Sequence, residues 1–94
     1  MNISLDYDDT YTRNPELWDM IVRQFQAKGD KVFLVTWRFP DEEVPGITKL
    51  RATLSGIHFT CRTAKEKYMF DQGINIHVWI DDNPRSIIQS MEGY

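Results

Sequence analysis

Ile3-Ser4-Leu5-Asp6-Tyr7-Asp8-Asp9-Thr10 is a short apolar run that stops at three carboxylates within four residues. Carboxylates held that close repel one another unless a cation sits among them or one takes up a proton, so the arrangement predicts a hard metal such as Mg²⁺. The pattern repeats towards the other end of the chain, where Ile76-His77-Val78-Trp79-Ile80 runs into Asp81-Asp82. Two apolar strands that each end in aspartates are what a site at the carboxyl edge of a parallel sheet looks like in sequence.

Between these ends, short β-like runs alternate with segments of helical period, the pattern of a parallel α/β sheet. Asn14-Pro15 predicts a capped helix start, and Leu17, Met20, Ile21, Gln24 and Phe25 predict its buried stripe, with Gly29 as the stop. Lys31 to Thr36 is continuously apolar until its final hydroxyl, which predicts a strand covered on both faces. Residues 37–46, with Pro40, Pro45 and the acidic Asp41-Glu42-Glu43, predict a loop, or a loop running into a helix start. Ile47, Leu50, Arg51 and Leu54 give a second helical spacing, and Ile57 to Thr60 a short strand at the sheet edge. Thr63 and Glu66 fit a capping box for a helix running to about Gln72, and Gly73 ends it. Ile76 to Ile80 is the fourth strand, after which Asn83-Pro84 opens a last helix through Ile87, Ile88 and Met91. With right-handed crossovers, a first strand lying between the second and the fourth brings both aspartate groups and Thr36 to one crevice.

The 94 residues allow one domain, spanning 1–94, and one core. Its 41% hydrophobic and 27% charged content is that of a folded globular chain, and a net charge of −3 gives no broad footprint for nucleic acid or an anionic membrane. Cys61 is the single cysteine, so no intrachain disulfide forms and a reducing compartment is the simpler expectation. Asp6, Asp8 and Asp9 break any signal-peptide core, and no apolar run reaches the roughly 20 residues that cross a bilayer, so a cytoplasmic location and no membrane partner are expected. His58 and His77 lack partners at zinc-site spacing and read as packing or surface residues.

Taken together, Asp6-Tyr7-Asp8-Asp9-Thr10 after one strand, Thr36 after the next, a lysine opening a later helix and Asp81-Asp82 after the last strand resemble the haloacid dehalogenase superfamily. The similarity covers nearly the whole chain, and the order of four elements carries it, since each alone is common. The resemblance implies a three-layer Rossmann-like α/β core with a parallel sheet of about four strands in order 3-2-1-4, helices on both faces and no cap domain. It implies a Mg²⁺-dependent phosphomonoester hydrolase. Asp6 would be the nucleophile that forms an aspartyl-phosphate, and Asp8 the general acid and then base. Thr36 would hydrogen-bond the phosphoryl group, and Lys65 would hold nucleophile and phosphate against their repulsion. Lys67 is the alternative, because it points to a different helix face. The metal ligands implied are the Asp6 carboxylate, the Asp8 carbonyl and the second pair, with Asp82 favoured as direct ligand over Asp81, an order the sequence leaves open. Asp9 stands where most relatives carry glycine, and both Asp9 and Thr10 read as turn residues rather than participants in chemistry.

Each feature also has a plain structural explanation. Asp81-Asp82 before Asn83-Pro84 could cap a helix, and Thr36 and Lys65 would be unremarkable apart from a shared crevice. Trp18 and Trp79 read as packing residues, while Trp37 and Arg38 either line the crevice mouth or anchor a surface loop. A capless crevice is open, so it suits a phosphorylated macromolecule, a nucleic-acid end, a nucleotide or another small phosphate, or closure by a second subunit of a homo-oligomer. The compactness is of a kind expected in a small genome such as a virus's. The competing expectation is a non-catalytic binding or regulatory protein on the same fold.

Overall fold

Alternation along the first strand divides the interior in two. The computed structural model of the chain describes residues 1–91. In β1 (Asn2–Leu5), Ile3 and Leu5 face one core cluster with Val32 and Leu34 of β2 (Lys31–Thr36). Phe33 and Val35 of β2 face the other. That two-sided burial is why β2 reads as an unbroken apolar run.

β3 (Gly56–Phe59) and β4 (Val78–Ile80) complete an all-parallel sheet in the order β3-β2-β1-β4, as the sequence predicts. The register pairs Ile3 with both Val32 and Val78, and Leu5 with both Leu34 and Ile80. On the first face, α1 (Pro15–Ala27) and α2 (Ile47–Thr53) contribute Trp18, Val22, Phe25, Ile47 and Leu50. On the second, α3 (Lys65–Asp71) contributes Tyr68 and Met69, and α4 (Arg85–Ile88) packs against α3. Burying those faces supplies most of the helical stability, because elements this short are marginal alone.

Asn14 caps α1 as expected, accepting the Leu17 N–H at 3.2 Å, with Pro15 in the first helical position. Gly29 follows at φ +88°, a conformation that costs glycine nothing. Trp79 and Trp18 pack partly buried against the two clusters, Trp79 on the second and Trp18 on the first. Residues 37–46 form a loop, pinned to the core by buried Val44.

Five local expectations need correction. The buried stripe of α1 runs through Trp18, Val22 and Phe25, while Leu17 and Met20 stay 40% and 48% exposed. Both stripes satisfy helical spacing, and the larger ring of Trp18 takes the core side. The Thr63 capping box does not form: the helix starts one residue later, and the Ala64 N–H donates instead to Ser90 Oγ at 2.8 Å. β4 is shorter than 76–80, because among the described residues it pairs with β1 alone and the Ile3–Val78 register leaves Ile76 opposite Met1, ahead of that strand. α4 stops at Ile88, since the Met91 N–H reaches the Arg62 carbonyl at 2.9 Å and the chain extends across the start of α3 instead of winding on. β3 is shifted by one residue from the expected 57–60, and no helix among the described residues is long and apolar enough to cross a membrane.

Candidate functional site

β1 and β4 end side by side, and the Asp6 N–H donates to the Ile80 carbonyl at 3.0 Å, so both aspartate groups leave the sheet at the same edge. Asp6, Asp81 and Asp82 come together there, each offering a carboxylate oxygen, all within 4.8 Å of one another. Asp6 is only 6% exposed. Its burial is the largest influence on its acidity, and it pushes the carboxyl up from 3.8 to about 7 against the opposing pull of Lys65.

Lys65, the first residue of α3, reaches into this group from the second face. It is 1% exposed, and its Nζ donates to Asp6 Oδ1 at 2.8 Å and to Asp81 Oδ2 at 2.6 Å. Lys67 points away and pairs with Asp71 at 2.8 Å on the exposed side of the helix. One ammonium therefore bridges the ends of two strands, and of the two lysines it is Lys65 that reaches the carboxylates.

Thr10 ties the third carboxylate in. Its hydroxyl lies 3.2 Å from Asp6 Oδ2 and 3.3 Å from Asp82 Oδ1, and it accepts the Asp82 N–H at 3.2 Å. A hydroxyl has a single proton, so it can serve only one of those two carboxylates at a time. Asp6 and Asp81 thus share one ammonium, and Asp6 and Asp82 share one hydroxyl proton. Asp81 is further held by Ser86 Oγ at 3.2 Å and by the Asn83 N–H at 3.0 Å, leaving Asp82 the least engaged of the three.

Asp8 lines the same crevice, but its carboxylate turns elsewhere. The expectation that it follows Asp6 on one side of an extended strand does not hold, because residues 7–10 form a turn. Both Asp8 oxygens accept from the Arg38 guanidinium, at 2.9 and 2.8 Å, and that fork holds the carboxyl below the usual carboxylate range. Asp9 is the turn residue its sequence suggests, at φ +60°. Thr36 is 1% exposed and accepts the Arg38 N–H at 3.3 Å; it is not among the residues lining the crevice.

The crevice holds about 290 Å³ and is closed on the loop side by Trp37, Arg38, Glu42 and Arg62. Arg62 pairs with Glu42 at 3.3 Å and sits over the Phe39 ring at 5.3 Å, as Arg38 sits over Tyr7 at 5.4 Å. Among the described residues, Asp9, Cys61 and Arg62 are the non-glycine residues with positive φ, and Asp9 and Arg62 line this crevice. A larger hollow of about 500 Å³ lies between α3, α4 and β4, with Glu66 and Lys67 among its lining beside Phe70, Ile76, Trp79 and Ile88, and none of the crevice carboxylates lines it. His58 packs between the rings of Phe33 and Tyr68, and His77 Nδ1 accepts the Asn2 N–H, so neither joins the carboxylates.

Sequence reasoning gave Thr10 too little weight and missed Ser86, Arg62 and Glu42. Ser86 carried a readable signal, one helical turn beyond the Asp81-Asp82 pair. Arg62 and Glu42 carried none, because they come from loops that only the fold brings together. What fold and site define is a doubly wound α/β protein whose acidic, lysine-bridged crevice sits at the point where strand order reverses. No family model, curated protein or solved structure matches the chain.

Proposed function

We propose that the chain is a Mg²⁺-dependent phosphomonoester hydrolase in which Asp6 is the nucleophile. The carrying observation is the Asp6, Asp81 and Asp82 group with Lys65 bridging two of its members. The donor set fits a hard dication: all oxygen, more negative charge than the one ammonium offsets, and an Asp6 carboxyl that burial drives towards its neutral form. Asp6, Asp82 and the Asp8 carbonyl would hold Mg²⁺, with Asp81 in support, and the ion would supply neutralisation of the carboxylates and of the phosphoryl oxygens.

The chain's own groups account for the rest. An Asp6 oxygen attacks phosphorus in line, the bond to the leaving oxygen breaks, and an aspartyl-phosphate forms. Lys65 holds the nucleophile oriented and offsets the charge that repels an incoming phosphate. Asp8 protonates the leaving oxygen, then takes a proton from water, whose oxygen attacks phosphorus to release phosphate and restore Asp6. For this the Arg38 fork must free an oxygen of Asp8, and a phosphoryl group offers the fork an equivalent two-pronged acceptor.

That same fork favours a second reading. With both oxygens of Asp8 occupied and its carboxyl held acidic, the crevice as it stands suits binding of a metal and a phosphate without turnover. Hydrolysis of 4-nitrophenyl phosphate with and without Mg²⁺, in the wild type and in Asp6→Asn, separates the two. A Mg²⁺-dependent rate that Asp6→Asn abolishes is the expected result. A rate no higher than that of the folded variant would leave the binding reading in its place.

A further inference from the structure

The rim of the crevice carries groups that the hydrolysis scheme does not use. Trp37 lines it directly after β2, and its indole Nε1–H donates to the Ser86 carbonyl at 3.1 Å, anchoring the ring by its polar edge. Arg62, which the scheme also leaves unused, and Arg38 line the same crevice, their guanidiniums already seated on carboxylates and on the rings of Phe39 and Tyr7. A fixed indole among guanidiniums is how proteins stack a nucleobase, because every base offers a π-face.

Charge then narrows the ligand. The lining counts six carboxylates against three cations, an excess of three negative charges that one dication reduces to one. A polyphosphate chain or a polynucleotide backbone would bring further anions into that excess. A flat, uncharged leaving group brings none and still gains the indole face. Resting on the phosphohydrolase reading above, we propose that the substrate is a nucleoside monophosphate, its phosphate at Asp6 and its base stacked on Trp37.

The test compares phosphate release, with Mg²⁺ present, from adenosine 5′-monophosphate, ribose 5-phosphate and adenosine 5′-triphosphate. The expected wild-type kcat/KM is about tenfold or more higher for the monophosphate nucleotide than for ribose 5-phosphate, the size of one base–aromatic stack. It is also higher than for the triphosphate. Trp37→Leu should collapse the nucleotide-to-ribose ratio towards one, and Trp37→Phe, which keeps a ring, should retain most of it. Equal wild-type rates on nucleotide and ribose phosphate overturn the proposal without any variant, as does a preference for the triphosphate. A ratio unchanged in Trp37→Leu overturns it too. If none of the three is hydrolysed while 4-nitrophenyl phosphate is, the nucleotide proposal is overturned; if that ester is not hydrolysed either, the phosphatase reading has failed, and the same ligands are titrated calorimetrically into the wild type. Tighter binding of the nucleotide that Trp37→Leu removes then sustains the stacking site, and equal binding refutes it.

Discussion

Replacing Lys65 with methionine keeps most of a buried stem and deletes only the charge, so the variant isolates what the ammonium does. Lys65 is 1% exposed and donates to two carboxylates whose side chains are 8% and 3% exposed. Without it, Asp6 and Asp81 face each other with oxygens inside 4.8 Å. At an effective dielectric of about 20, that repulsion alone is about 3 kcal/mol. Removing one partner of a buried ion pair costs about 3–5 kcal/mol by experience, which agrees. Urea unfolding of metal-free protein at about pH 8 should therefore show Lys65→Met less stable by about 3–5 kcal/mol. The deficit should shrink at about pH 5.5, because burial already lifts the Asp6 carboxyl to about 7 and loss of the cation lifts it further, so protonation relieves the repulsion. A deficit under about 1 kcal/mol at the higher pH, the range of exposed ion pairs, or one equal at both pH values, would refute the account of Lys65 as the clamp on this crevice.

The wild type carries the same linkage in milder form. The folded-state value for Asp6 lies above its unfolded value, so the native state binds the proton more tightly, and metal-free stability should fall as pH rises from about 4 through about 7. Millimolar Mg²⁺ should flatten that fall and raise the melting temperature most at the alkaline end; a pH profile indifferent to Mg²⁺ would count against a metal among Asp6, Asp81 and Asp82. Arg38→Met tests the opposite sign. The Asp8 carboxyl is held low, so the pair stabilises above the unfolded value of 3.8 and ceases to as pH falls through the folded one. Because the two side chains are 26% and 49% exposed, the loss at neutral pH should stay at or below about 1 kcal/mol. Unfolding curves showing several kcal/mol would mean that Arg38 supports the loop in other ways.

Three of the four strands announced themselves by their ends, aspartates after β1 and β4 and a hydroxyl closing β2, while the order of the sheet came from the family resemblance. The buried run of β2 and the Asn14-Pro15 start of α1 were equally readable, since both follow from local chemistry. What failed was what depends on tertiary choice. Nothing local distinguishes a Leu17–Met20 stripe from a Trp18–Val22 stripe, and nothing near Thr63 reveals that Ser90 will meet the Ala64 N–H. The convergence of Asp6 with Asp81 and Asp82 followed from topology and the place of Lys65 from the family resemblance, but Thr36 does not line the crevice as expected, and the capture of Asp8 by Arg38 was not foreseen. It depends on the turn at residues 7–10, where the strand's alternation no longer applies.

The left-handed residues beside the crevice have a bearing on how this chain could be improved. Asp9, Cys61 and Arg62 hold a backbone conformation that costs a side chain about 1 kcal/mol or more, and that glycine adopts freely. A search for sturdier variants would thus be drawn towards glycine at these places. Yet Asp9 and Arg62 line the crevice, so the gain at either of these two would strip a group from the rim, and Cys61 alone of the three could take glycine without doing so. Robustness and recognition compete for the same few positions, and thermal tolerance is better sought on the outward side of α1, where Leu17 and Met20 lie open to solvent.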